Sequence, residues 1–372
     1  MGFRAGSLEG LVMKREFWAG KRVLVTGHTG FKGSWLSLWL QLLGADVTGY
    51  SLEPPTQPNL FEAANVTDGM RSIFGDVLQI DVLNQAFSDT RPEIVIHMAA
   101  QALVRHSYNH PVETYATNVM GTVNVLEVIR ECPSVRVAVI VTSDKCYENR
   151  GLVWGYRENE PLGGYDPYSS SKACAELVVS AYRRSFFMPG IAGGHPAAVA
   201  SVRAGNVIGG GDWASDRLIP DMARAFIARQ PVKVRSPKAV RPWQHVLEPL
   251  RGYLVLAERL WEHGGDLTEA LNFGPETSGA CEVGWIADQF AEMWGDGAQW
   301  ITDGGSHPYE AHYLKLDCSK AKAVLAWTPK LGLRTALEWT VEWYKAYIDK
   351  TAMRSLSIDQ IKRYEAMEEI CT

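Results

Sequence analysis

A glycine-rich loop joins the first β-rich run of the chain to its first long helical pattern. Residues 21–26 are mostly aliphatic or β-branched, and residues 34–43 carry large apolar side chains at helical spacing. Between them, Gly27, Gly30 and Gly33 follow a Gly-x-x-Gly-x-x-Gly spacing. Glycines at such positions permit a tight turn and let the N–H groups of the next helix approach a pyrophosphate. The loop therefore predicts the first β-loop-α unit of a dinucleotide-binding sheet.

Strand and helix patterns alternate along the first half of the chain. Further strands are predicted at residues 46–51, 94–99, 136–142 and 197–203, with helices at 82–88, 114–131 and 169–187. This order predicts an α/β fold with a doubly wound parallel (Rossmann) sheet. Beyond residue 203 the pattern changes to glycine- and proline-rich loops with short strands such as 231–235. That change predicts a smaller, interleaved C-terminal lobe.

Composition excludes several other classes of protein. Of the 372 residues, 46% are hydrophobic and 21% are charged, as in ordinary globular proteins. A net charge of −5 without basic runs predicts neither a nucleic-acid partner nor a membrane partner. No stretch reaches the roughly 18 apolar residues of a membrane span. The six cysteines form no C-x-x-C pair, so we expect reduced thiols, a cytoplasmic protein and a small-molecule ligand.

The residues in and after the glycine loop indicate which nucleotide binds. A nucleotide-hydrolase phosphate loop requires Gly-Lys-Ser in that order, whereas this chain has Lys32-Gly33-Ser34. About 20 positions beyond the loop, an acidic residue is expected to accept the adenosine ribose hydroxyls, and Glu53 has that spacing. Residues 50–57 contain no arginine to receive a 2′-phosphate. NAD is therefore predicted rather than NADP.

A second motif, Tyr168-x-x-x-Lys172, lies at the start of the helical pattern at 169–187, and a hydroxyl residue, Ser143, lies upstream of it. Free tyrosine has a pKa of about 10, so a tyrosine base needs positive charge beside it, which a lysine one helical turn along can supply. Such a set can remove a proton from a sugar hydroxyl while a nicotinamide takes the hydride. The alternative is a buried tyrosine and a surface lysine that merely share helical spacing.

Together these motifs resemble a known family. The glycine loop, His97-Met98-Ala99-Ala100 and the set of Ser143, Tyr168 and Lys172 resemble the extended short-chain dehydrogenase/reductase family of nucleotide-sugar enzymes, over nearly the whole chain. Within that family, residues 26–36, 142–147, 166–172 and 203–213 resemble the dehydratases that act on CDP-glucose.

The resemblance implies an NAD-dependent lyase that converts CDP-D-glucose to CDP-4-dehydro-6-deoxy-D-glucose. The steps are oxidation at C4, elimination of water across C5–C6 and return of a hydride to C6. The product would serve the synthesis of deoxysugars of surface polysaccharides such as O-antigen. The alternatives are a 4,6-dehydratase of a dTDP- or UDP-sugar, including the inverting type, a nucleotide-sugar 4-epimerase and a non-catalytic NAD-sensing protein.

The catalytic residues that the resemblance implies are Ser143, Asp144, Lys145, Tyr168 and Lys172. Ser143 would hydrogen-bond the sugar O4, and Tyr168 would take its proton. Asp144 would protonate the leaving O6, which requires a desolvated carboxyl group. Related dTDP-glucose dehydratases have a glutamate base after this aspartate, whereas Lys145 is either the C5 base or an electrostatic stabiliser of the enolate. A surface ion pair between Asp144 and Lys145 is the alternative without a function.

The binding residues follow from the loop and from the resemblance. Besides Tyr168 and Lys172, the expected cofactor-binding residues are Gly27, Thr29, Gly30, Phe31, Lys32, Gly33, Asp76, Val77, Ala99 and Ala100. The Asp76-Val77 pair is either an adenine contact or an ordinary turn. The expected substrate-binding residues are Gln101, Ser143, Asn206, Arg217, Arg235 and Arg241. Guanidinium groups suit phosphate oxygens, although each arginine alone is also typical of a solvated surface.

The sequence also predicts domain limits and an oligomeric assembly. We expect an NAD-binding Rossmann domain at residues 20–202, with the chain returning to it at 243–275, and a substrate-binding lobe at 203–242 and 276–350. Residues 351–372 are expected to form a peripheral C-terminal helix. The resemblance implies a homodimer or homotetramer that pairs through the helices at 114–131 and 169–187. His106 and His110 are four residues apart, but Asn109 and Pro111 interrupt a helix there, so no metal is expected.

Overall fold

The structure, a computed structural model, describes residues 14–188, 191, 193–276, 279–305 and 313–368. The strands within these residues are β1 (Arg22–Thr26), β2 (Asp46–Ser51), β3 (Arg71–Phe74), β4 (Ile94–His97), β5 (Val137–Val141), β6 (Ala198–Ala204), β7 (Asn206–Ile208), β8 (Val232–Val234), β9 (Val240–His245), β10 (Leu271–Phe273), β11 (Ala280–Glu282) and β12 (Trp300–Thr302). Seven of them form one sheet in the order β10-β6-β5-β4-β1-β2-β3. Every neighbouring pair in that sheet is parallel, which confirms the predicted doubly wound fold.

The α-helices of the described residues are α1 (Arg15–Trp18), α2 (Phe31–Leu42), α3 (Leu60–Ala63), α4 (Ile80–Thr90), α5 (Val104–Asn109), α6 (Pro111–Tyr115), α7 (Gly121–Glu131), α8 (Pro167–Tyr182), α9 (Leu218–Ile227), α10 (Leu247–His263), α11 (Val283–Trp294), α12 (Ser319–Leu325), α13 (Leu333–Ile348) and α14 (Met353–Glu365). A π-helical turn, Ala116–Met120, joins α6 to α7, and another, Arg183–Phe187, extends α8. None of the described helices combines the length and the apolar character needed to cross a bilayer.

The main sheet is covered on both faces, which explains its nearly continuous apolar strands. Val23 and Val25 of β1 belong to one buried cluster, together with Trp35 of α2. Leu24 belongs to a second cluster on the opposite face, together with Val125 of α7. Burying one such side chain stabilises the fold by about 1.5–3 kcal/mol. The strand order reverses at β1, so the carboxyl ends of β1 and β4 flank the crevice where sheets of this kind bind ligands.

The chain beyond residue 203 builds small sheets and then returns to the large one. β7, β9 and β11 form a three-stranded sheet, and β8 pairs with β12. β10 pairs with β6 and becomes the seventh strand of the main sheet. This return lies within residues 243–275, while the exact domain limits stay a prediction.

The C-terminal helix, which was expected to be peripheral, packs against the rest of the protein through one buried face. Helix α14 buries Met353, Ser357, Gln360, Ile361 and Tyr364. The Tyr364 hydroxyl donates a hydrogen bond of 2.7 Å to the Glu248 carboxylate, and the Trp39 indole N–H of α2 donates one of 2.8 Å to Glu365. The segment contains many charged residues, so the narrow buried face with helical spacing was not recognised in the sequence. Residues 369–372 lie outside the described residues.

Candidate active site

The glycine loop forms a close-packed turn between β1 and α2. Gly27 has a φ of +78°, and a Cβ on it would lie 2.7 Å from the Ala99 backbone nitrogen. A Cβ on Gly33 would overlap the Gly27 carbonyl oxygen. Gly30 is the N-cap of α2, and no side chain caps that terminus. The first-turn N–H groups of Phe31, Lys32 and Gly33 are therefore available to an anion, so this cradle fits the diphosphate of a dinucleotide.

Replacing Gly33 by alanine should weaken NAD binding. The added methyl group meets backbone atoms of Gly27 and His28, and relieving this overlap costs about 1–3 kcal/mol of strain. We expect roughly 10- to 100-fold weaker NAD binding, measured by isothermal titration calorimetry on a variant whose thermal unfolding shows that it is folded. Gly304→Ala is the matched control because a Cβ there meets no atom within 4 Å. Unchanged affinity in folded Gly33→Ala would remove the loop from the cofactor site.

The other predicted cofactor residues lie at the carboxyl ends of neighbouring strands. Thr29 donates a hydrogen bond of 2.9 Å to the Leu52 carbonyl after β2, and the Ala99 N–H donates one of 3.1 Å to Thr26 Oγ1. Asp76 follows β3, and its carboxylate accepts a hydrogen bond of 2.9 Å from the Leu78 N–H. The structure therefore gives Asp76 the turn geometry that was one of its two interpretations. The remaining residues of this group are Val77, which is buried, and Ala100, which is half-buried, while Glu53 is exposed beyond the end of β2.

Two elements bring the predicted catalytic residues together. Ser143 follows β5 and caps a short 3₁₀ turn, Asp144–Cys146, by accepting a hydrogen bond of 3.3 Å from the Lys145 N–H. Asp166 caps α8 and Pro167 opens it, so Tyr168 lies in the first turn. The Tyr168 N–H donates a hydrogen bond of 3.1 Å to Ser107 Oγ.

Tyr168 is almost fully buried, and its environment opposes the phenolate. Burial raises the pKa of Tyr168 to about 12. The nearby Asp144 charge raises this pKa too, whereas a hydrogen bond with Ser143 and the positive charge of Arg217 lower it. Ser143 therefore lies close to the Tyr168 hydroxyl group, as a proton-transfer pair requires. Further positive charge beside the hydroxyl group is needed before it can act as a base near neutral pH.

Asp144 has the environment of a proton donor. It is 2% exposed, and its Oδ2 atom has no hydrogen-bond partner, while Ser143 donates a hydrogen bond of 3.1 Å to Oδ1. Burial raises the pKa of this carboxyl group, and the charges of Lys145, Arg241 and Lys32 only partly oppose that effect. The interpretation of Asp144 and Lys145 as an exposed surface ion pair is therefore wrong for Asp144.

The sequence did not indicate that Gly205 would matter to this site. It lies between β6 and β7, and a Cβ on it would lie 3.1 Å from Asp144 Oδ2 and 2.7 Å from a ring carbon of Pro242. A side chain at this position would press on the carboxyl group. Tyr253 of α10 was also missed: it is fully buried, and its hydroxyl group has no hydrogen-bond partner. Burial raises the pKa of Tyr253, as do the nearby Tyr168 and Asp144.

Two lysines lie deep in the site. Burial and the nearby charge of Lys32 together lower the pKa of Lys172 to about 8, although Glu176 opposes this shift. Burial also lowers the pKa of Lys32 to about 8, together with the charge of Arg217 and against that of Asp144. Lys32 was predicted only as a residue of the cofactor loop, yet its side chain lies among the catalytic groups.

The predicted phosphate-binding arginines already have partners. Arg217 pairs with Asp212 at 2.9 Å, and Arg235 pairs with Asp216 at 2.7 Å. Arg241 is buried near Asp144, and its guanidinium group donates a hydrogen bond of 3.0 Å to the Val240 carbonyl. The Arg217 and Arg235 pairs hold guanidinium groups near the site without fully consuming their five donors.

The two predicted amide residues differ in their surroundings. Asn206 begins β7 and is half-buried. Gln101 uses its side chain to stabilise its own loop, because its amide donates a hydrogen bond of 2.8 Å to Thr114 Oγ1 and its carbonyl accepts one of 2.5 Å from the Leu103 N–H. The Gln101 side chain is therefore committed to contacts within its own loop, and its role in substrate binding stays a prediction.

One group of potential metal ligands occurs within the described residues. His106, His110 and Glu113 place three ligand atoms within 4.8 Å of one another. The His106 and His110 rings stack at 4.3 Å, and His106 Nε2 lies 3.2 Å from a Glu113 carboxylate oxygen. His110 and Glu113 are exposed, and these contacts are those of an imidazole–carboxylate pair on a surface.

Comparison with known proteins now decides the family. Residues 23–268, which include the glycine loop, Ser143, Tyr168 and Lys172, match the model of the NAD dependent epimerase/dehydratase family. The chain belongs to this family. The predicted resemblance and the predicted cofactor, NAD, are thereby confirmed.

Individual members of the epimerase/dehydratase family resemble the chain to different degrees. It is 56% identical over 353 residues to the CDP-glucose 4,6-dehydratase of Salmonella typhimurium strain LT2, covering 95% of this chain and 98% of that protein. It is 26% identical to the dTDP-glucose 4,6-dehydratase of Haemophilus influenzae, over 87% of this chain and 97% of that one.

Solved structures of the same family share the fold. The dTDP-glucose 4,6-dehydratase of Bacillus anthracis in complex with NAD superposes with a TM-score of 0.73 at 23% identity, covering 91% of this chain and 100% of that chain. The UDP-glucose 4-epimerase of Thermotoga maritima with UDP-glucose has a TM-score of 0.76 at 22% identity, covering 88% and 99%. At these identities, the likeness concerns the fold alone.

Proposed function

We propose that the chain catalyses the NAD-dependent 4,6-dehydration of CDP-glucose to CDP-4-dehydro-6-deoxyglucose. The observation that carries this proposal is the buried Asp144 carboxyl group, with its raised pKa, beside the Ser143–Tyr168 pair. Oxidation and reduction at C4 need the serine and the tyrosine, whereas loss of water from C6 also needs an acid. The 56% identity to a CDP-glucose 4,6-dehydratase supports the same reaction and the same nucleotide.

In the first step, Tyr168 accepts the proton of the sugar O4 while Ser143 donates a hydrogen bond to that oxygen. The glycine loop would hold NAD, which when bound would supply the acceptor for the C4 hydride and the donor for the hydride that C6 receives. Lys172, one helical turn beyond Tyr168, is protonated below a pH of about 8 and would then supply positive charge to the tyrosine, in addition to that of Arg217. This charge offsets the burial that otherwise keeps Tyr168 protonated.

In the second step, the 4-keto group acidifies the C5 hydrogen. Asp144 gives its proton to the leaving O6, so that water departs. The raised pKa of Asp144 keeps the carboxyl group protonated at higher pH than an exposed aspartate. Lys145 is half-buried next to it and either accepts the C5 proton or stabilises the enolate. After the hydride returns to C6, a solvent proton at C5 completes the product.

The substrate diphosphate would lie against Asn206, Arg217, Arg235 and Arg241. Arg235 shares Asp216 with Arg105, which lies 3.2 Å from the same carboxylate oxygen. Two arginines on one carboxylate leave excess positive charge for a diphosphate.

Exposed apolar side chains support the expected homodimer or homotetramer. Val112 of α6, Met120 before α7 and Leu177 of α8 are 82%, 51% and 58% exposed. Met120 and Leu177 lie within the two segments through which pairing was expected, and Val112 lies just before the first of them; such side chains gain most from burial against a second copy. The free cysteines of the described residues fit a reducing compartment, and so the expected cytoplasmic location. The product would then serve the synthesis of surface deoxysugars.

A panel of nucleotide-activated glucoses tests the proposed reaction. The purified chain with NAD is incubated separately with CDP-, UDP-, dTDP-, GDP- and ADP-glucose, and product masses are measured. We expect a product lighter by one water, formed fastest from CDP-glucose. Loss of water mainly from another nucleotide would change the substrate, and an isomer of unchanged mass would indicate a 4-epimerase. NAD binding without turnover on any sugar would favour a sensor.

A further inference from the structure

A completely buried ion pair lies directly behind the catalytic residues. Arg203 of β6 and Glu176 of α8 approach to 2.7 Å, and their side chains are 4% and 3% exposed. Removing two charges from water costs several kcal/mol per ion, and a buried pair is often no more stabilising than apolar residues of the same volume. Stability alone therefore explains this pair poorly, and its hydrogen bonds indicate what else it does.

The pair holds both ends of the segment that carries Ser143, Asp144 and Lys145. At the first end, Thr142 donates a short hydrogen bond to Glu176 Oε1. At the other end, Arg203 donates a hydrogen bond of 2.8 Å to the Tyr147 hydroxyl group. Since Glu176 belongs to the helix of Tyr168 and Lys172, both groups of catalytic residues are attached to one charged pair.

The surrounding contacts fix the pair itself. Ser201 of β6 donates a hydrogen bond of 2.8 Å to Glu176 Oε2, and Arg203 donates another of 3.1 Å to the Glu158 carbonyl. The Tyr147 hydroxyl group donates its own proton to Asn272 Oδ1 of β10 at 2.7 Å. A polar network with this many connections allows only small displacements of its members.

Glu176 also affects the charge of Lys172, which lies one helical turn before it. Its carboxylate favours the protonated lysine, against burial and against Lys32 of α2. The other titratable groups that face Lys172 are Cys146 after β5 and His97 of β4, the latter buried with a lowered pKa. Within the described residues, Glu176 is the acidic residue that acts directly on this lysine.

We propose that Glu176 and Arg203 are positioning residues for the C4 oxidation step: they hold residues 142–147 against α8 and keep Lys172 protonated. This inference rests on the proposed function. Glu176 and Arg203 would contact neither the sugar nor the cofactor, yet the rate of oxidation would depend on them. Misplacing catalytic groups by about 1 Å can cost roughly 100-fold in rate.

The test compares Glu176→Gln with the wild type in single turnovers of CDP-glucose with NAD, across pH. We expect reduced nicotinamide to form roughly 10- to 100-fold more slowly, with little change in the KM for CDP-glucose. Without the negative charge of Glu176, the pKa of Lys172 falls further below its usual range. The decline of the rate on the alkaline side therefore begins at lower pH than in the wild type. Glu176→Asp, which keeps the charge on a shorter side chain, should lose rate but keep the alkaline limb.

A double variant covers the case in which Glu176→Gln does not fold. Glu176→Gln with Arg203→Met removes both charges and leaves no unpaired ion, so we expect it to fold. Its rate should remain low, with the alkaline limb shifted in the same direction. Glu148→Gln is the matched control, because Glu148 forms an exposed pair with Arg150 at 2.6 Å beside the same segment and should leave rate and pH profile unchanged.

The outcomes separate this inference from the proposed function. If the wild type oxidises CDP-glucose and the folded variants keep its rate and its alkaline limb, the pair has no positioning role. If Glu176→Gln and the double variant lose rate but show no shift of the alkaline limb, the pair has a structural role only, and the inference is overturned. If the wild type oxidises no CDP-glucose at all, the proposed function fails first, and this inference fails with it.

Discussion

Tyr168→Phe should reduce the rate of C4 oxidation by roughly 100- to 10,000-fold, the range for loss of a general base. The substitution keeps the buried ring and removes only the hydroxyl group, which lies close to Ser143. Asp144, which accepts a hydrogen bond of 3.1 Å from Ser143, is assigned to the later elimination step, so Tyr168 is the group expected to take the O4 proton. The measurement is the single-turnover formation of reduced nicotinamide after mixing the NAD-loaded variant with CDP-glucose.

Tyr165→Phe is the control for this variant, because Tyr165 lies three residues earlier and is 79% exposed. It should oxidise CDP-glucose at the wild-type rate. CDP-glucose affinity of Tyr168→Phe, measured without turnover, should change little because the loss concerns proton transfer. Oxidation by Tyr168→Phe within a factor of about ten of the wild type would assign the base to another residue.

Lys145→Ala should separate oxidation from elimination. Tyr168, Ser143 and Lys172 remain, so bound reduced nicotinamide should form at a rate near that of the wild type. Removal of the C5 proton then loses its base or its stabilising charge, and elimination should slow by roughly 100- to 10,000-fold. Reduced nicotinamide should therefore persist in the variant, whereas it is only transient in the wild type. Normal formation of the 4-keto-6-deoxy product by Lys145→Ala would exclude Lys145 from the elimination.

Two further variants complete this test. Lys233→Ala removes an exposed lysine of β8 and should behave as the wild type. Lys145→Arg keeps the positive charge but provides a group that does not give up its proton at any working pH. Substantial elimination by Lys145→Arg would assign stabilisation of the enolate to Lys145, and its absence would favour direct proton transfer.

The parts of the fold that could be predicted are those with a strong local pattern. The glycine loop predicted the β1–α2 unit, and residues 46–51 coincide with β2. Strands β3 and β10 were missed because each has only three or four residues, and β3 buries none of them fully. The packing of helix α14 could not be predicted, because the helix has many charged residues and its buried face contacts Glu248, which is distant in the sequence.

The candidate site shows a similar division. Motif spacing predicted Ser143, Tyr168 and Lys172, since these residues lie in segments with a recognisable local sequence. The proposed role of Asp144 required a desolvated carboxyl group, but motif spacing did not show what surrounds it, because Gly205, which lies close to that carboxyl group, is distant in sequence. The position of the Lys32 side chain and the pairing of Glu176 with Arg203 also depend on contacts between distant segments. Local sequence contains no signal for such contacts.

Strand β10 follows its partner β6 by more than 60 residues in the sequence, which has a consequence for truncated chains. All seven residues of β6 are buried, and β10 is the strand that covers its outer side. A nascent chain that ends before Leu271 would present an apolar edge with unpaired backbone groups, which is the kind of surface that draws chains into aggregates. A chain truncated before Leu271 is therefore expected to aggregate more readily than the full chain.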